Sequence, residues 1–596
     1  MYRHKKVSIT VVTILAISLI CIKVSWAASI NLPKDANGWT LFTPSADSRL
    51  VYISAQGNDS TGEVYAPSDT AIGSDPFNPQ GTIKPFATYA AAFAHTRDHY
   101  PDYILFKRGD VFTDTIGTSI HSGRSATEPF VIGTYGNSGA SPVINSGSTA
   151  VKIMDVKRNW ITFFGLDFYA YKRDPDNPAY DVNVSEYDGF FTAFYHTTDG
   201  LDGALVEGCK FRFFATGISL IRQNSTDFKD ITFRRCVISH SYNSSAHSTG
   251  AWSSKGEGLT FEENIFYHNG WLIKNRTGNQ YDPSDGQAVW FNHNVYMGGL
   301  TKSSFKNNVF AEGACSGLKL TAHGVNSTHD IIITGNLFVG NGEVGFNIGN
   351  NYNEYQNRFQ NINIHDNVFT DIGVNRLTHR NVSWYAWING WKDSSFNNNL
   401  LIHQTHSDSN SVTILLGERL ANTTISNNII YGIKNAKAIS TTTNENITNL
   451  SIDHNTIQLT DHYQYFVSTQ YTTGVTFSTN KYYSDDNSQQ FNYLGAEKNF
   501  GGWVAGTGDT SAISQKTFPD PTRNIETYMS SIGETPSLDN FFHKLDSQGR
   551  YNWNMKFTAP VVNDWLKAGF GITSPGNGGN EGSTLSAPTG FSISLN

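Results

Sequence analysis

Side chains that could do chemistry recur at a fixed distance after a short repeated phrase of this sequence. A strand-like segment follows each copy of the phrase, and every second residue of that segment should face solvent. Indole rings stack on pyranose faces, while cations and amides bind hydroxyl or carboxylate groups, so such a strip suits a sugar chain. The predicted outward positions are Ser219, Trp252, Trp290, Lys319 and Asn347, with Arg222, Lys255, Asn292, His293 and His323 close by.

A second set of polar residues lies four positions after the marker residue of each repeat. Within it, His268 and Glu312 are candidates for general acid and base, because they belong to the coils that carry Trp290 and Lys319. An insertion at 275–287 makes the coil that carries Trp290 the longest. Asp282 and Asp285 within this insertion could reach over the groove that the outward strip would form. The whole column reads His240, His268, Glu312, Asp371 and His403.

The repeat itself is a short phrase of alternating apolar residues that ends in Asn and two more apolar residues. Phrases such as LTFEENIF, IIITGNLF and INIHDNVF show the period-two pattern of strands. A spacing of about 30 residues with short strands is typical of a solenoid. The marker Asn falls at positions 264, 308, 336, 367, 399, 428 and 455.

Asn at one fixed turn position has a structural explanation. Asn tolerates left-handed backbone, and its amide can bond to the amides of the coils above and below. We therefore predict a buried asparagine ladder and no catalytic role for these residues. Cys209 and Cys236 occupy the same column upstream, where free stacked thiols are expected in place of a disulfide.

These motifs resemble the secreted superfamily of right-handed parallel β-helix proteins that includes pectate lyases and alginate lyases. The resemblance covers roughly 48–570, including the opening phrases YISAQGNDS, PFATYAAAFAH and YILFKRGDVF. It implies an all-β solenoid whose first coils are covered by a capping helix within 86–97. Short helices are expected at 524–531 and 560–568. The predicted domains are a signal peptide (1–27), cap and first coils (28–130), β-helix (131–515), helical segment (516–572), and a linker with a partial fibronectin-III-like strand (573–596).

The first residues and the charge balance predict an exported, soluble protein. A basic start, an apolar run and Ser25-Trp26-Ala27 form a signal peptide with cleavage after Ala27. Four of the 43 Lys and Arg precede that point, so the processed chain would carry a net charge of −12. Such a chain has no general attraction for nucleic acid. We expect a secreted or periplasmic monomer that spans no membrane and whose partner is a polysaccharide.

Two reactions suit the predicted strip. In β-elimination, Lys319 is the candidate base, His293 or His323 assists, and Asn292 and Asn347 hold a uronate carboxylate. Ca²⁺ could offset the carboxylate charge, although the sequence contains no strict calcium loop. In hydrolysis, Glu312 would pair with Asp285 or Glu343 across the scissile bond.

Two further functions are compatible with the same pattern. A mannuronan C5-epimerase would use the same proton abstraction without cleaving the chain, and a glycan-binding adhesin would use the strip for attachment alone. A lyase acting on an acidic polysaccharide is the leading prediction.

Overall fold

The computed structural model describes residues 30–573, apart from 155, 195–199, 223–227, 274–278, 280, 323–327, 350–358, 376, 379, 405–409, 435, 442–446, 460–463, 471–472 and 486–489. Within these ranges the chain winds through three long sheets, and successive coils pair in parallel. Antiparallel strand pairs are confined to the two ends of the described solenoid. The predicted right-handed parallel β-helix is thus confirmed.

Sheet 1 contains 16 of the described strands. Their bounds are Leu50–Ile53, Val64–Tyr65, Tyr103–Lys107, Phe130–Tyr135, Lys157–Phe164, Gly200–Glu207, Phe228–Arg234, Gly256–Glu257, Thr260–Glu262, Leu300–Lys306, Thr328–Thr334, Phe359–His365, Trp391–Asn397, Ala421–Ser426, Thr448–Asp453 and Val475–Ser478.

Sheet 2 has 13 described strands and carries the candidate groove. Their bounds are Val151–Met154, Phe190–Phe194, Thr216–Arg222, Thr249–Ser253, His293–Gly298, Ser316–Thr321, Val344–Ile348, Val382–Ile388, Asn410–Leu416, Ala436–Thr441, Tyr465–Thr469, Phe491–Tyr493 and Ala496–Lys498.

Sheet 3 has 14 described strands, most of them of three residues, and contains the second half of each repeat phrase. Their bounds are Val111–Phe112, Val143–Asn145, Asp167–Tyr169, Lys210–Arg212, Val237–Ser239, Ile265–Tyr267, Val309–Ala311, Leu337–Val339, Val368–Thr370, Leu400–Gln404, Ile429–Ile433, Thr456–Leu459, Lys481–Ser484 and Ala512–Ile513.

The helices of the described chain lie near its two ends. Short 3₁₀ turns add Tyr171–Arg173, Ser284–Gly286, Arg550–Asn552 and Met555–Phe557. No helix in the described ranges is both long and apolar enough to cross a membrane. The α-helices are Tyr89–Phe93, Phe500–Thr507, Ile525–Ser531, Leu538–Asp546 and Ala559–Gly569.

Stacked phenylalanine rings fill the interior of the solenoid. Phe266, Phe310, Phe338 and Phe369 follow one another on sheet 3 with ring centroids 5.4, 4.8 and 4.5 Å apart. Each ring is fully buried, and burial of apolar area drives the coils together. The alternating apolar positions of the repeat phrase therefore supply the core.

A ladder of buried amides runs along the turn between sheets 1 and 3. The Asn264 amide donates to Asn308 Oδ1 at 3.0 Å, and Asn308 donates to Asn336 at the same distance. The chain of bonds continues through each later marker Asn to Asn480. Upstream, the Cys236 thiol takes the amide's place and donates to the Val206 carbonyl at 3.3 Å. Cys209 and Cys236 are free and buried, as the sequence predicted.

Both ends of the solenoid are covered. Tyr89 and Ala92 of the first helix pack into the first coils, and Thr88 caps this helix by accepting from the Ala91 N–H. The helix is shorter than the predicted 86–97 because Phe86 is held as a bridge beside Ile53. At the other end, Trp503 of the second helix closes the core.

The C-terminal helices cover the outer face of sheet 3. Phe541, Phe542 and Leu545 lie in one apolar cluster with residues that sheet 3 points outward. The predicted helices at 524–531 and 560–568 agree with the observed bounds within one residue at each end, and Asn524 is the N-cap of the first. This cover leaves the outer face of sheet 2 as the face that bears the groove.

Candidate functional site

The outward positions of sheet 2 form one continuous strip. Strand pairing places Trp252 beside Tyr296, Tyr296 beside Lys319, and Lys319 beside Asn347. Because neighbouring strands lie about 4.8 Å apart, each of these side chains is one rung from the next. Ser219 precedes Trp252 in the strip and Trp387 follows Asn347.

The longest coil does not have the predicted register. The sequence places its strand at 288–296, with Phe291 inward and Trp290 outward. The observed strand is His293–Gly298, so Tyr296 takes the predicted place of Trp290 and Met297 points into the core. The physical reason is the insertion before this strand, which ends in a loop that contains Trp290 and the 37% exposed Phe291.

A pocket of about 470 Å³ opens where this loop meets the strip. The rings of Trp252, Phe291 and Tyr296 form its apolar walls. Polar groups at its base come from His293 and Lys319. The remaining lining residues are Thr216, His247 and Thr249.

Lys319 contributes an amine to this pocket. Its ammonium lies 5.3 Å from the centre of the Tyr296 ring, and burial lowers the pKa of Lys319 below its ordinary value. Among the described residues no carboxylate forms an ion pair with it, and the contribution that opposes burial comes from Cys315. A lysine in this environment is in its neutral amine form more often than one in water, and only that form can act as a base.

Two histidines flank Lys319. His293 is buried, and its Nδ1 lies 2.8 Å from the Ser316 hydroxyl. Burial, followed by the charges of Lys319 and His247, lowers the pKa of His293 well below its usual range. The His247 ring lies tilted against Phe291, with ring centroids 4.8 Å apart, and burial also lowers the pKa of His247. Burial therefore favours the neutral form of both imidazoles.

Asn292 does not face the groove, contrary to the prediction. It is fully buried, accepts from the Ser248 N–H at 3.0 Å and donates to the Gly270 carbonyl at 2.6 Å. It also bonds to His247, so its place is behind that ring. Asn347 is partly exposed on the strip beside Lys319, where the sequence placed it.

The other predicted binding residues are spread more widely. Trp290 packs against Trp384 and Trp387 beyond the pocket. Lys255 lies in the turn after the strand of Trp252 and does not line the pocket. The Arg222 side chain and all of His323 lie outside the described residues.

His268 and Glu312 are not part of the groove. They lie at the turn between sheets 3 and 2, where His268 Nδ1 is 3.4 Å from Glu312 Oε2 and its ring stacks on Trp271 at 3.8 Å. Other members of the predicted column face the C-terminal helices: His240 lies 3.3 Å from Asp546. The turn that carries this column lies on the side that the helical segment covers, away from the residues that line the Lys319 pocket.

Two carboxyl groups with altered proton affinity lie at the start of strands of sheet 2. Burial raises the pKa of Asp188 to about 6, and this side chain bonds to Thr216 and Ser219. Burial likewise raises the pKa of Glu343 to about 7, and its Oε2 lies 3.5 Å from Arg380 Nε. The sequence did not indicate Asp188, because this residue comes close to the strip only in the folded solenoid, where it lies one coil before Thr216.

Other possible binding features lie away from the strip. Among the described residues, no group of three or more His, Cys, Asp and Glu is arranged to hold a metal ion. A larger cavity of about 560 Å³ lies between the N-terminal segment and Tyr551, but its two arginines are engaged by the Gly139 carbonyl and by Glu207. The Lys319 pocket combines a reactive group with aromatic walls.

No protein-family model matches the chain, and no curated protein resembles it in sequence. Several solved structures resemble it. One is a mannuronic acid specific polysaccharide family 6 lyase from human gut microbiota (12% identity, 75% of this chain, 93% of that chain, TM-score 0.39). Another is the A-module of the Azotobacter vinelandii mannuronan C-5 epimerase AlgE6 (14% identity, 69% of this chain, 91% of that chain, TM-score 0.36). A third is the GH136 lacto-N-biosidase from Eubacterium ramulus (12% identity, 78% of this chain, 67% of that chain, TM-score 0.36).

Proposed function

We propose that this protein cleaves an acidic polysaccharide by β-elimination, with Lys319 as the base. The observation that carries the proposal is the position of Lys319: a partly buried ammonium of lowered pKa, without a carboxylate partner among the described residues, at the centre of an aromatic groove. A sugar ring can lie against Trp252 or Phe291 with its acidic carbon toward this amine.

The reaction follows from these groups. Neutral Lys319 takes the proton from the carbon next to the uronate carboxylate, and the electron pair of that C–H bond forms a carbon–carbon double bond. The glycosidic C–O bond breaks, and its oxygen takes a proton for which the Tyr296 hydroxyl, one rung away, is the nearest candidate on the strip. Asn347 can donate hydrogen bonds to the carboxylate while charge builds up on it.

The first experiment compares ultraviolet absorbance with new reducing ends on polymannuronate, polyguluronate, polygalacturonate and neutral xylan, with and without Ca²⁺. Elimination produces both signals on an acidic substrate, because the new double bond is conjugated with the carboxylate. Lys319→Ala should lower the rate by roughly 100-fold or more. Lys306→Ala is the matched control, since this half-exposed lysine lies on sheet 1 beside Glu262. Full activity of Lys319→Ala would contradict the proposal.

Hydrolysis is the second candidate, and Asp188 favours it. Its raised pKa of about 6 lets it hold a proton for a leaving group, and its partners Thr216 and Ser219 belong to the strip or the pocket. New reducing ends without ultraviolet absorbance would identify hydrolysis, provided that Asp188→Asn abolishes their formation. Inverted C5 configuration without any cleavage would instead identify an epimerase that uses the same Lys319 proton abstraction. Binding without any reaction on these substrates would leave a glycan-binding protein.

A further inference from the structure

The groove does not end at the Lys319 pocket. Two rungs beyond Lys319, the strip reaches Trp387, just as Trp252 lies two rungs before it. At about 4.8 Å a rung, these two indole rings belong to strands that lie roughly 10 Å on either side of the lysine. Lys319 therefore lies midway between two tryptophans of the strip.

The distal tryptophan belongs to a cluster of partly exposed rings. Trp384 lies 5.2 Å from Trp387 on the same strand, and Trp290 of the inserted loop lies 6.4 Å from Trp387. The Arg380 guanidinium stacks 3.1 Å above Trp290 and 5.1 Å from Trp384. All four side chains keep part of their surface in solvent, so the cluster differs from a closed core.

The charge of the cluster suits an anion. The ionic partner of Arg380 in the described chain is Glu343, which contacts Nε at 3.5 Å and is completely buried. The Glu343 carboxyl also accepts a hydrogen bond from the Thr378 hydroxyl and contacts the Cys315 thiol at 3.6 Å. Burial raises its pKa to about 7, so near neutral pH it offsets the arginine charge only in part. A guanidinium held flat against an indole is suited to bidentate binding of a carboxylate.

We propose that Trp384, Trp387 and Arg380 form a second sugar subsite, which holds a uronate unit of the same polysaccharide chain whose bond is broken at Lys319. This inference rests on the proposed function and adds that the protein cuts internal bonds. A chain that lies along the strip contacts tryptophans on both sides of the reacting bond, and the side chains of the strip do not require a chain end.

The subsite is tested without catalysis, in the Lys319→Ala protein, by calorimetry with polymannuronate, polyguluronate and polygalacturonate. We expect a second substitution, Trp387→Ala or Arg380→Ala, to weaken binding at least tenfold. Trp387→Phe should restore most of the affinity because it keeps a stacking face, whereas Arg380→Lys should restore little because lysine lacks the fork. Tyr100→Ala removes an exposed ring far from the groove and should change nothing.

The possible outcomes separate this subsite from the reaction itself. Unchanged affinity in both double variants, with thermal unfolding midpoints preserved, overturns the subsite, as does xylan binding as tightly as the polyuronates. Absence of cleavage by the natural protein, with tight binding that depends on Arg380, overturns the elimination but supports the subsite. For the active natural protein, early products should be long oligosaccharides. Release of mono- or disaccharides from the start would overturn the internal mode of cutting.

Discussion

At the scale of single residues, burial beside the groove changes two proton affinities in opposite directions. It lowers the pKa of the cation Lys319 and raises that of the carboxyl Glu343, because in both cases the charged form loses water. The two groups therefore become neutral more readily than they would in solution. For Lys319, a larger neutral fraction favours proton abstraction. For Glu343, the raised pKa makes the stability of the fold depend on pH.

The rate of a Lys319-dependent reaction should rise with pH. Protonated Lys319 cannot act as a base, so the rate should be low in acid and increase as pH passes through its lowered pKa. Lys319→Arg keeps the positive charge but stays protonated, and should be inactive across the whole pH range. A pH–rate profile of both proteins measures this. Recovery of activity by Arg would mean that the position supplies only charge.

Glu343 should make the protein less stable as pH rises toward 7. Its folded-state pKa of about 7 lies above the ordinary value of 4.5, so its stabilising contribution is complete below pH 4.5 and is lost as pH rises through 7. The effect is on the order of 3 kcal/mol. Thermal unfolding of Glu343→Gln between pH 5 and pH 8 should show a weaker decline than the natural protein. Parallel curves for the two proteins would contradict this assignment.

At the scale of elements, the asparagine ladder connects each coil to the next. Asn336 donates to the Phe305 carbonyl and to Asn367, and accepts from the backbone and the amide of Asn308. These partners are buried, so each would lose one of its hydrogen bonds if the amide were removed.

Asn336→Ala should lower the free energy of unfolding by about 2–4 kcal/mol. Asn363→Ala is the control, because this exposed amide lies on the outer face of sheet 1 and accepts only from the Ser395 hydroxyl at 2.9 Å among the bonds described. Its effect should stay below about 0.5 kcal/mol. Calorimetric unfolding of both variants measures the difference. Equal effects would mean that the ladder follows coil stacking and does not stabilise it.

The sequence predicted these elements well where the repeat length is constant and poorly where it is not. A marker Asn and alternating apolar residues define a coil locally, so the fold, the free thiols and the neighbours Lys319 and Asn347 could be predicted. In the longest coil the insertion carries its own apolar residues, and the alternation of 288–296 fits a strand equally well. Only the pairing of Tyr296 between Trp252 and Lys319 fixes the register, and that pairing is tertiary information.

At the scale of the whole molecule, one buried carboxylate joins three distant segments. Glu207 of sheet 1 accepts hydrogen bonds from Thr40 near the N-terminus, from Arg234 one coil away and from Arg550 in the C-terminal segment. Although burial alone would raise it, the two arginines lower the pKa of Glu207. The sequence could not show this, because nothing in the repeat indicates where the segment after 515 returns. For the same reason it could not show that His268 and Glu312 lie on the side that this segment covers.

Arg550→Ala should loosen the C-terminal segment and lower the free energy of unfolding by about 2–3 kcal/mol, because a fully buried carboxylate loses one of its two cations. Lys556→Ala removes an exposed cation from the same segment and should have little effect. Limited proteolysis and thermal unfolding measure both changes. Equal rates of proteolysis for the two variants would mean that the apolar contacts with sheet 3 hold the segment without Arg550.

The rung spacing of sheet 2 also limits how such a groove can change during evolution. Each coil contributes one strand to the sheet, so the separation between two groove positions changes only in whole steps of about 4.8 Å. Loss or duplication of the single coil between Lys319 and Trp387, a unit of about 30 residues, would shift one binding position against the other without altering either side chain. The distance between two positions of the groove is therefore determined by the number of coils between them.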